Sequence, residues 1–230
     1  MTIVAIHQPG YLPWLGFFKK MMNSDVFVFL DDAQFEKKDW DNRNFIRTNS
    51  GSTLLTVPVL AHRDTTLNQT KIDNTKNWAI KHKRSILLNY SKAPYFDDHK
   101  YFIEALYDQK FDLLVDINTK IIQYVMNKLD IECKILFSSK LNVSETGSDR
   151  VLQICKILNA DVYISGTVWA KEHLKLDDFK ENDIEIKFQN FQHPKYSQLH
   201  GDFIPNMSII DLLFNEGNKS REILLKSSTV

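Results

Sequence analysis

Apolar positions in this chain follow two rhythms, and their alternation sets the first expectation of the fold. Short β-branched or aromatic runs read as buried strands at Thr2–Ile6, Val26–Leu30, Leu54–Val59 (stopped by Pro58), Cys133–Phe137, Val162–Ser165 and Ile184–Phe188. Helical spacing lies between them. Leu114, Ile117, Ile121, Val125 and Leu129 fall three and four residues apart, one face of a helix of about four turns. Trp14–Asn23, Trp78–Asn89 and Tyr95–Tyr107 also read as helices, the last two parted by Pro94. Ser148 is placed to cap a helix whose inner face carries Val151, Cys155 and Leu158. Asn206 is placed to cap a final helix over Ser208–Asn215, ended by Gly217. Ala33–Ser52 reads as polar and irregular, Ala61–Asn77 as exposed loop, and residues after Lys219 as a fraying tail.

Strands alternating with amphipathic helices imply an α/β fold: a mainly parallel sheet with helices on both faces, Rossmann-like and three-layered. The 230 residues suit a single domain spanning 1–230, with an embellishing helical or loop segment at 60–110. In such sheets ligands gather at the carboxyl ends of the strands. That rule collects His7-Gln8, Asp31-Asp32 and Ser165-Gly166-Thr167.

Lysine plus arginine balances aspartate plus glutamate at 29 each, which leaves no electrostatic footprint for nucleic acid. An anionic substrate would have to be met by local cations. No apolar run approaches the roughly 18 residues of a spanning helix, and the start MTIVAIHQPG lacks the layout of a signal peptide, so no membrane insertion is expected. Cys133 and Cys155 form neither a disulfide framework nor a zinc spacing, which suits a reducing cytoplasm. Both read as core thiols rather than nucleophiles.

The segment IHQPGYLPWLGFF sets His7, Gln8, Tyr11 and Trp14 on a loop stiffened by Pro9 and Pro13. A pre-ordered loop loses little entropy when a ligand arrives. His7 can exchange a proton near neutral pH and so can serve as a general base, or more blandly can bond a loop carbonyl. Asp31, Asp32 and Gln34 follow the second strand, where a carboxylate pair could hold a divalent ion or simply form a turn. Trp40-Asp41-Asn42-Arg43-Asn44 combines an aromatic face, amides and a guanidinium fork suited to phosphate or carboxylate. A solvated loop is the plainer reading. A second irregular cluster carries His193, Tyr196, His200 and Asn206; its two histidines do not have a familiar metal spacing, and loop packing would also explain it. His62, His82, His99 and His173 stand among charged residues and read as surface. Neither GxGxxG, GxxxxGK[ST] nor GxSxG occurs.

Five segments in order carry a resemblance: IHQPGYLPWLGFFKKMMNSDVFVFLDDAQF, DWDNRNFIRT, TVPV, VYISGTVWAKEHL and FQNFQHPKYSQLHGDFIPNMSIIDLLFNEG. With them the chain resembles the WbqC-like proteins of bacteria from Ile3 to Gly217. The resemblance implies a place in O-antigen (lipopolysaccharide) or other surface polysaccharide biosynthesis. It also implies transfer of glycine, or another small acyl group, onto a sugar.

The leading expectation is an acyl or aminoacyl transferase acting on a sugar or sugar-nucleotide intermediate. His7 or His193 would take the proton of the attacking amine; Gln8, Asn42 or Asn44 would bond the sugar or a developing oxyanion. Arg43 would neutralise a phosphate or carboxylate, and Tyr11, Trp14 or Trp40 would pack on a ring. Asp31, Asp32, Gln34, Ser165, Thr167, Tyr196, His200 and Asn206 complete the expected substrate-binding set. No cofactor and no metal site is assigned, nucleic acid is not expected as a partner, and homo-oligomer formation is left open. One alternative is nucleotidyl or adenylyl transfer with magnesium at Asp31 or Asp32, although Leu12, Pro13 and Trp14 stand where such enzymes carry a second histidine. Another is a non-catalytic sugar-nucleotide-binding protein. If His7 and His193 act together, they must lie near one pocket.

Overall fold

The computed structural model describes residues 1–166 and 172–227. The chain runs β1 (Ile3–His7), α1 (Leu15–Met22), β2 (Val26–Phe29), β3 (Arg43–Thr48), β4 (Gly51–Thr56), β5 (Val59–Leu60) and β6 (Lys71–Ile72). It continues through α2 (Trp78–Tyr90), α3 (Phe96–Asp108), α4 (Leu114–Lys128), β7 (Lys134–Phe137), α5 (Gly147–Ile157) and β8 (Val162–Gly166). It closes with α6 (Leu176–Glu181), β9 (Glu185–Gln189), α7 (Ile209–Glu216) and α8 (Ser220–Lys226).

Five strands form one parallel sheet in the order β7-β2-β1-β8-β9. Alternation along each strand sends side chains to opposite faces. Ala5, Phe27, Phe29 and Ile164 enter a large core with α1, α4, α7 and α8. Val4, Ile6, Val28 and Tyr163 enter a smaller one with Val151, Ile154 and Cys155 of α5 and Phe179 of α6. The expected α/β three-layer fold is therefore present. Burial pushes the Cys155 thiol up to about 12 and Cys133 up to about 11, so neither is a ready thiolate. From β1 the chain adds β2 and β7 on one side, then β8 and β9 on the other. The order reverses between β1 and β8, and a crevice at the carboxyl ends of the strands belongs there.

Several expectations need correction. The polar stretch 33–52 contains β3 and the start of β4, an antiparallel hairpin registered from Arg43↔Thr56 to Thr48↔Gly51. Its polar residues mislead because Asn42, Asn44 and Arg47 are buried and bonded to backbone carbonyls. Segment 61–77 is also partly interior, with Leu67, Thr70 and Ile72 buried. The stretch between β2 and β7 carries β3 to β6 and α2 to α4. Ser208, not Asn206, caps α7 by accepting the Ile210 N–H; Asn206 sits two residues earlier at φ 62°. Ser148 lies inside α5, where its hydroxyl accepts the Lys175 N–H at 3.0 Å. Residues 220–226 are helical and not frayed, because α8 buries Ser220 and Leu224 and is tied to Lys19, whose Nζ donates to the Leu225 carbonyl at 3.1 Å; residues 228–230 lie outside the described residues.

His82 and His99 are not surface residues. They are 6% and 5% exposed and bonded to tyrosine hydroxyls, His82 to Tyr11 at 2.8 Å and His99 to Tyr124 at 2.6 Å. Burial, joined at His99 by the charge of Lys128, lowers both from 6.5 to about 4. The unfolded chain therefore binds protons first as the pH falls. The contribution of these two histidines to stability is expected to be full above pH 6.5 and to be lost as pH drops from 6.5 toward 4, by on the order of 3 kcal/mol per histidine. Urea midpoints measured across that range check this, and His82→Gln should flatten the dependence; an unchanged slope would count against the assignment.

Candidate functional site

His7 is the last residue of β1 and stands at the reversal of strand order. It keeps an exposed face, while neighbouring protein crowds and desolvates the ring. Its Nδ1 lies 2.8 Å from the Gln8 carbonyl, and the edge of Phe17 packs on the ring with 5.3 Å between centroids. A carbonyl can only accept, so Nδ1 carries the proton and Nε2 keeps the lone pair. Burial first, and the nearby Lys20 cation second, lower the imidazole to about 4 against the opposing pull of the Gln8 bond and Asp39. At neutral pH the ring is an uncharged proton acceptor.

The loop after β1 is fastened from outside. Asn118 of α4, fully buried, donates its amide to the carbonyls of Pro9 and Asp41, each at 2.8 Å. Asn44 donates to the Leu12 carbonyl at 2.8 Å, and Ile209 donates its N–H to Pro13 at 2.9 Å. The Tyr11 N–H donates to the Trp40 carbonyl at 3.3 Å. Gly10 suits the close approach, since a Cβ there would lie 3.0 Å from that same carbonyl oxygen. The loop is therefore held as one body with the hairpin and α4.

The structure separates the expected substrate-binding residues. Gln8 and Gln34 share the rim beside His7: Gln8 Nε2 reaches the Gln34 carbonyl at 3.5 Å, and Gln34 Nε2 donates to Arg63 at 2.6 Å. Trp40 is 53% exposed on the same loop assembly, next to Phe45, and Arg43 Nε donates to the Asp39 carbonyl at 3.0 Å. Tyr11, in contrast, is wholly in the core, bonded to His82 and Tyr107. Asn42 serves the hairpin by donating to Val57 at 2.8 Å. Ser165 is buried below the strand end, 3.4 Å from the Tyr163 hydroxyl. Thr167 lies outside the described residues.

Asp31 and Asp32 are engaged by protein donors. Asp31 accepts from the Ser139 N–H at 3.0 Å and its hydroxyl at 2.7 Å; Asp32 accepts from Ser138 and pairs with Arg150. Burial works to raise Asp32, but the Ser138 and Arg150 bonds and the Arg150 charge leave it below the ordinary carboxylate value. The pair staples the end of β2 to β7 and α5. Among the described residues no group of three or more histidine, cysteine or acidic side chains is placed to hold a metal.

The second histidine cluster is organised by Asp211. This buried carboxylate accepts from Tyr90 at 2.8 Å, Tyr196 at 2.7 Å and Gln198 at 2.8 Å. His200 is at φ 68° with Nε2 on the Asn89 carbonyl, and Asn206 is exposed, so both shape the segment. His193 Nδ1 bonds the Pro194 carbonyl at 2.9 Å, while its buried Nε2 has no partner among the described residues. After β9 the chain crosses the far end of the opening loop. Gln189 donates to the Gly16 carbonyl at 2.8 Å, Phe191 packs edge-on to Trp14 at 5.0 Å, and His193 follows at 5.9 Å from Phe191. The two histidine segments are thus joined through Trp14 and Phe191, with no direct hydrogen bond between His7 and His193 among the described residues.

Residues 8–223 match the WbqC-like protein family. This chain belongs to that family. It is also similar to "Uncharacterized protein Rv1507c" of Mycobacterium tuberculosis, 32% identical over 97% of this chain and 98% of that protein. No solved structure matches. Among the described residues no helix is long and apolar enough to cross a membrane.

Two residues inside the matched range were missed as site-builders. Asn118 falls on the apolar stripe of α4, four residues after Leu114, and a polar side chain in such a stripe is its only signal. Lys20 belongs to LGFFKKMM, a helix with no polar face large enough to take both lysines; it is buried, and its Nζ donates to the Ile6 carbonyl at 3.0 Å. Asn118→Ala strands two buried carbonyls and is expected to cost about 2–4 kcal/mol by denaturant unfolding. Hydrogen exchange should rise at Tyr11, whose N–H bridges the two loops; unaltered exchange there would contradict the clamp.

Proposed function

We propose that this WbqC-like protein transfers a small acyl or aminoacyl group, such as glycine, onto an amino sugar carried by a nucleotide, within surface polysaccharide synthesis. The observation that carries the reading is His7: an uncharged imidazole at the reversal point of a parallel sheet, with Nε2 as its acceptor. A nucleotide-linked substrate suits that crevice. Exposed Trp40 and the Arg43 guanidinium, at the start of β3, stand on the segment fastened to the His7 loop and offer a stacking surface and a cation.

In this reading Nε2 of His7 takes a proton as the sugar amine attacks the carbonyl of an activated acyl donor, a thioester or an ester. A carbon–nitrogen bond forms, the bond to the donor's leaving group breaks, and the imidazolium returns its proton to that leaving group. The magnesium-dependent alternative is less well served, since Asp31 and Asp32 already satisfy Ser138, Ser139 and Arg150.

The test is mass spectrometry of sugar nucleotides incubated with the protein, ATP and candidate donors. A mass gain in the acceptor is expected, and sugar nucleotides that stay intact with every donor would favour a binding protein instead. His7→Ala should reduce kcat by about 100-fold or more with the fold retained; unchanged turnover removes His7 from the mechanism. The acid limb of kcat/KM, which reports the free enzyme, is expected near 4 and not near 6.5.

A further inference from the structure

Lys20 occupies an unusual place. Strand β1 is parallel to β2, so α1 returns antiparallel to both, with its first turn near the carboxyl ends of the strands. A helical side chain leans toward the helix N-terminus, which carries the Lys20 ammonium toward those strand ends. There it meets the Ile6 carbonyl. Alternate carbonyls of β1 face β8, as the bond from the Val162 N–H to Thr2 shows. Ile6 is in phase with Thr2, so its carbonyl also faces β8. Pairing of β1 with β8 stops at Ala5↔Ile164, whereas β1 with β2 runs on to His7↔Phe29 and β8 with β9 to Gly166↔Gln189. The ammonium therefore sits where the two strands part, on a carbonyl that has run out of strand partner.

The lysine is 3% exposed, and no carboxylate of the described residues forms an ion pair with it. An ammonium has three donors, and among the described residues one is used here. Its neighbour Lys19 is equally buried, but its Nζ anchors the tail at Leu225. Lys20 anchors no chain end; its bond runs to the Ile6 carbonyl of β1. A buried cation without a counter-charge is unfavourable, and an incoming anion would relieve it.

We propose that Lys20 is the anion-binding group of the β1–β8 crevice and takes the diphosphate of a nucleoside-diphosphate-linked substrate. This rests on the sugar-nucleotide reading above. A compact ammonium binds phosphate as a point charge, and the strand-end crevice is where a diphosphate would lie. The placement also couples binding to chemistry. The Lys20 charge is the second of the forces that hold His7 neutral, and a diphosphate on Lys20 would offset it. His7 then becomes a stronger base only when substrate is in place.

Inorganic pyrophosphate tests the proposal without turnover. Calorimetric titration at low salt is expected to show binding to the full-length wild-type chain, weakened about tenfold or more in K20M and K20Q. K20M exchanges an uncompensated buried charge for an apolar stem of similar length and is expected to melt no lower than wild type. If both variants fail to fold, the lysine Cε resonances of isotope-labelled wild-type protein decide. The Lys20 signal should shift on saturation with pyrophosphate, and the His7 titration midpoint should move upward. No binding to wild type, equal binding to the variants, or an unmoved Lys20 signal each overturns the proposal. Anion binding lost in K20M with no acyl transfer from any donor would keep the anchor and sink the transferase reading.

Discussion

A buried loop without regular secondary structure must find a donor for each carbonyl it takes out of water. The segment from Pro9 to Pro13 is under that constraint, since Pro9, Tyr11, Leu12 and Pro13 are buried and the prolines cannot donate. Its carbonyls at Pro9, Leu12 and Pro13 are met by Asn118, Asn44 and the Ile209 N–H. Those donors come from α4, the hairpin and the start of α7. Satisfying one short loop thus fixes three distant parts of the chain around the end of β1, and it is this assembly that holds the backbone next to His7 in place.

A second group of buried polar contacts plays the same part for the late segment. Asp211 gathers Tyr90, Tyr196 and Gln198, while Arg47 reaches the carbonyls of Thr48, Gly51, His200 and Asp202. Burial raises Asp211 above the ordinary carboxylate range, and the three donors and Arg47 work against that shift. The stack of Tyr90 on Phe214, at 4.7 Å and 11° between planes, closes the network with apolar surface. Removing a member would leave buried donors without acceptors, so such networks specify one arrangement more than they add net stability.

The charge arrangement at the candidate site follows the same logic of enclosure. Lys20 is buried with its Nζ on the Ile6 carbonyl, and burial lowers it to about 7. His7, close by, is lowered to about 4. Asp41, whose carbonyl is clamped by Asn118, is raised to about 7 by burial and the charge of Asp39, against the opposing bond from the Glu36 N–H. Three titratable groups around one loop are therefore shifted in the direction of their neutral forms. Shifts of this kind gather where a fold prepares groups for proton transfer or for a charged ligand.

The order of strands and helices, the parallel sheet and the prominence of the opening loop were legible in the sequence. Periodicity is a local property, and His7 ends a β-branched run followed by two prolines. What the sequence did not disclose was which polar residues face a ligand and which satisfy backbone. Tyr11, Asn42 and Asn44 have the residue types of a sugar site but are spent on the interior, while Asn118 and Lys20 looked like ordinary helix positions. The hairpin in 33–52 was hidden for the same reason, because its polar side chains are buried against carbonyls far along the chain. A residue's type states what it can bond, but its partner is set by elements up to a hundred or more positions away, as for Asn118 with Pro9 and Tyr90 with Asp211. Local pattern therefore determined the architecture, and only the tertiary structure decided the chemistry of the site.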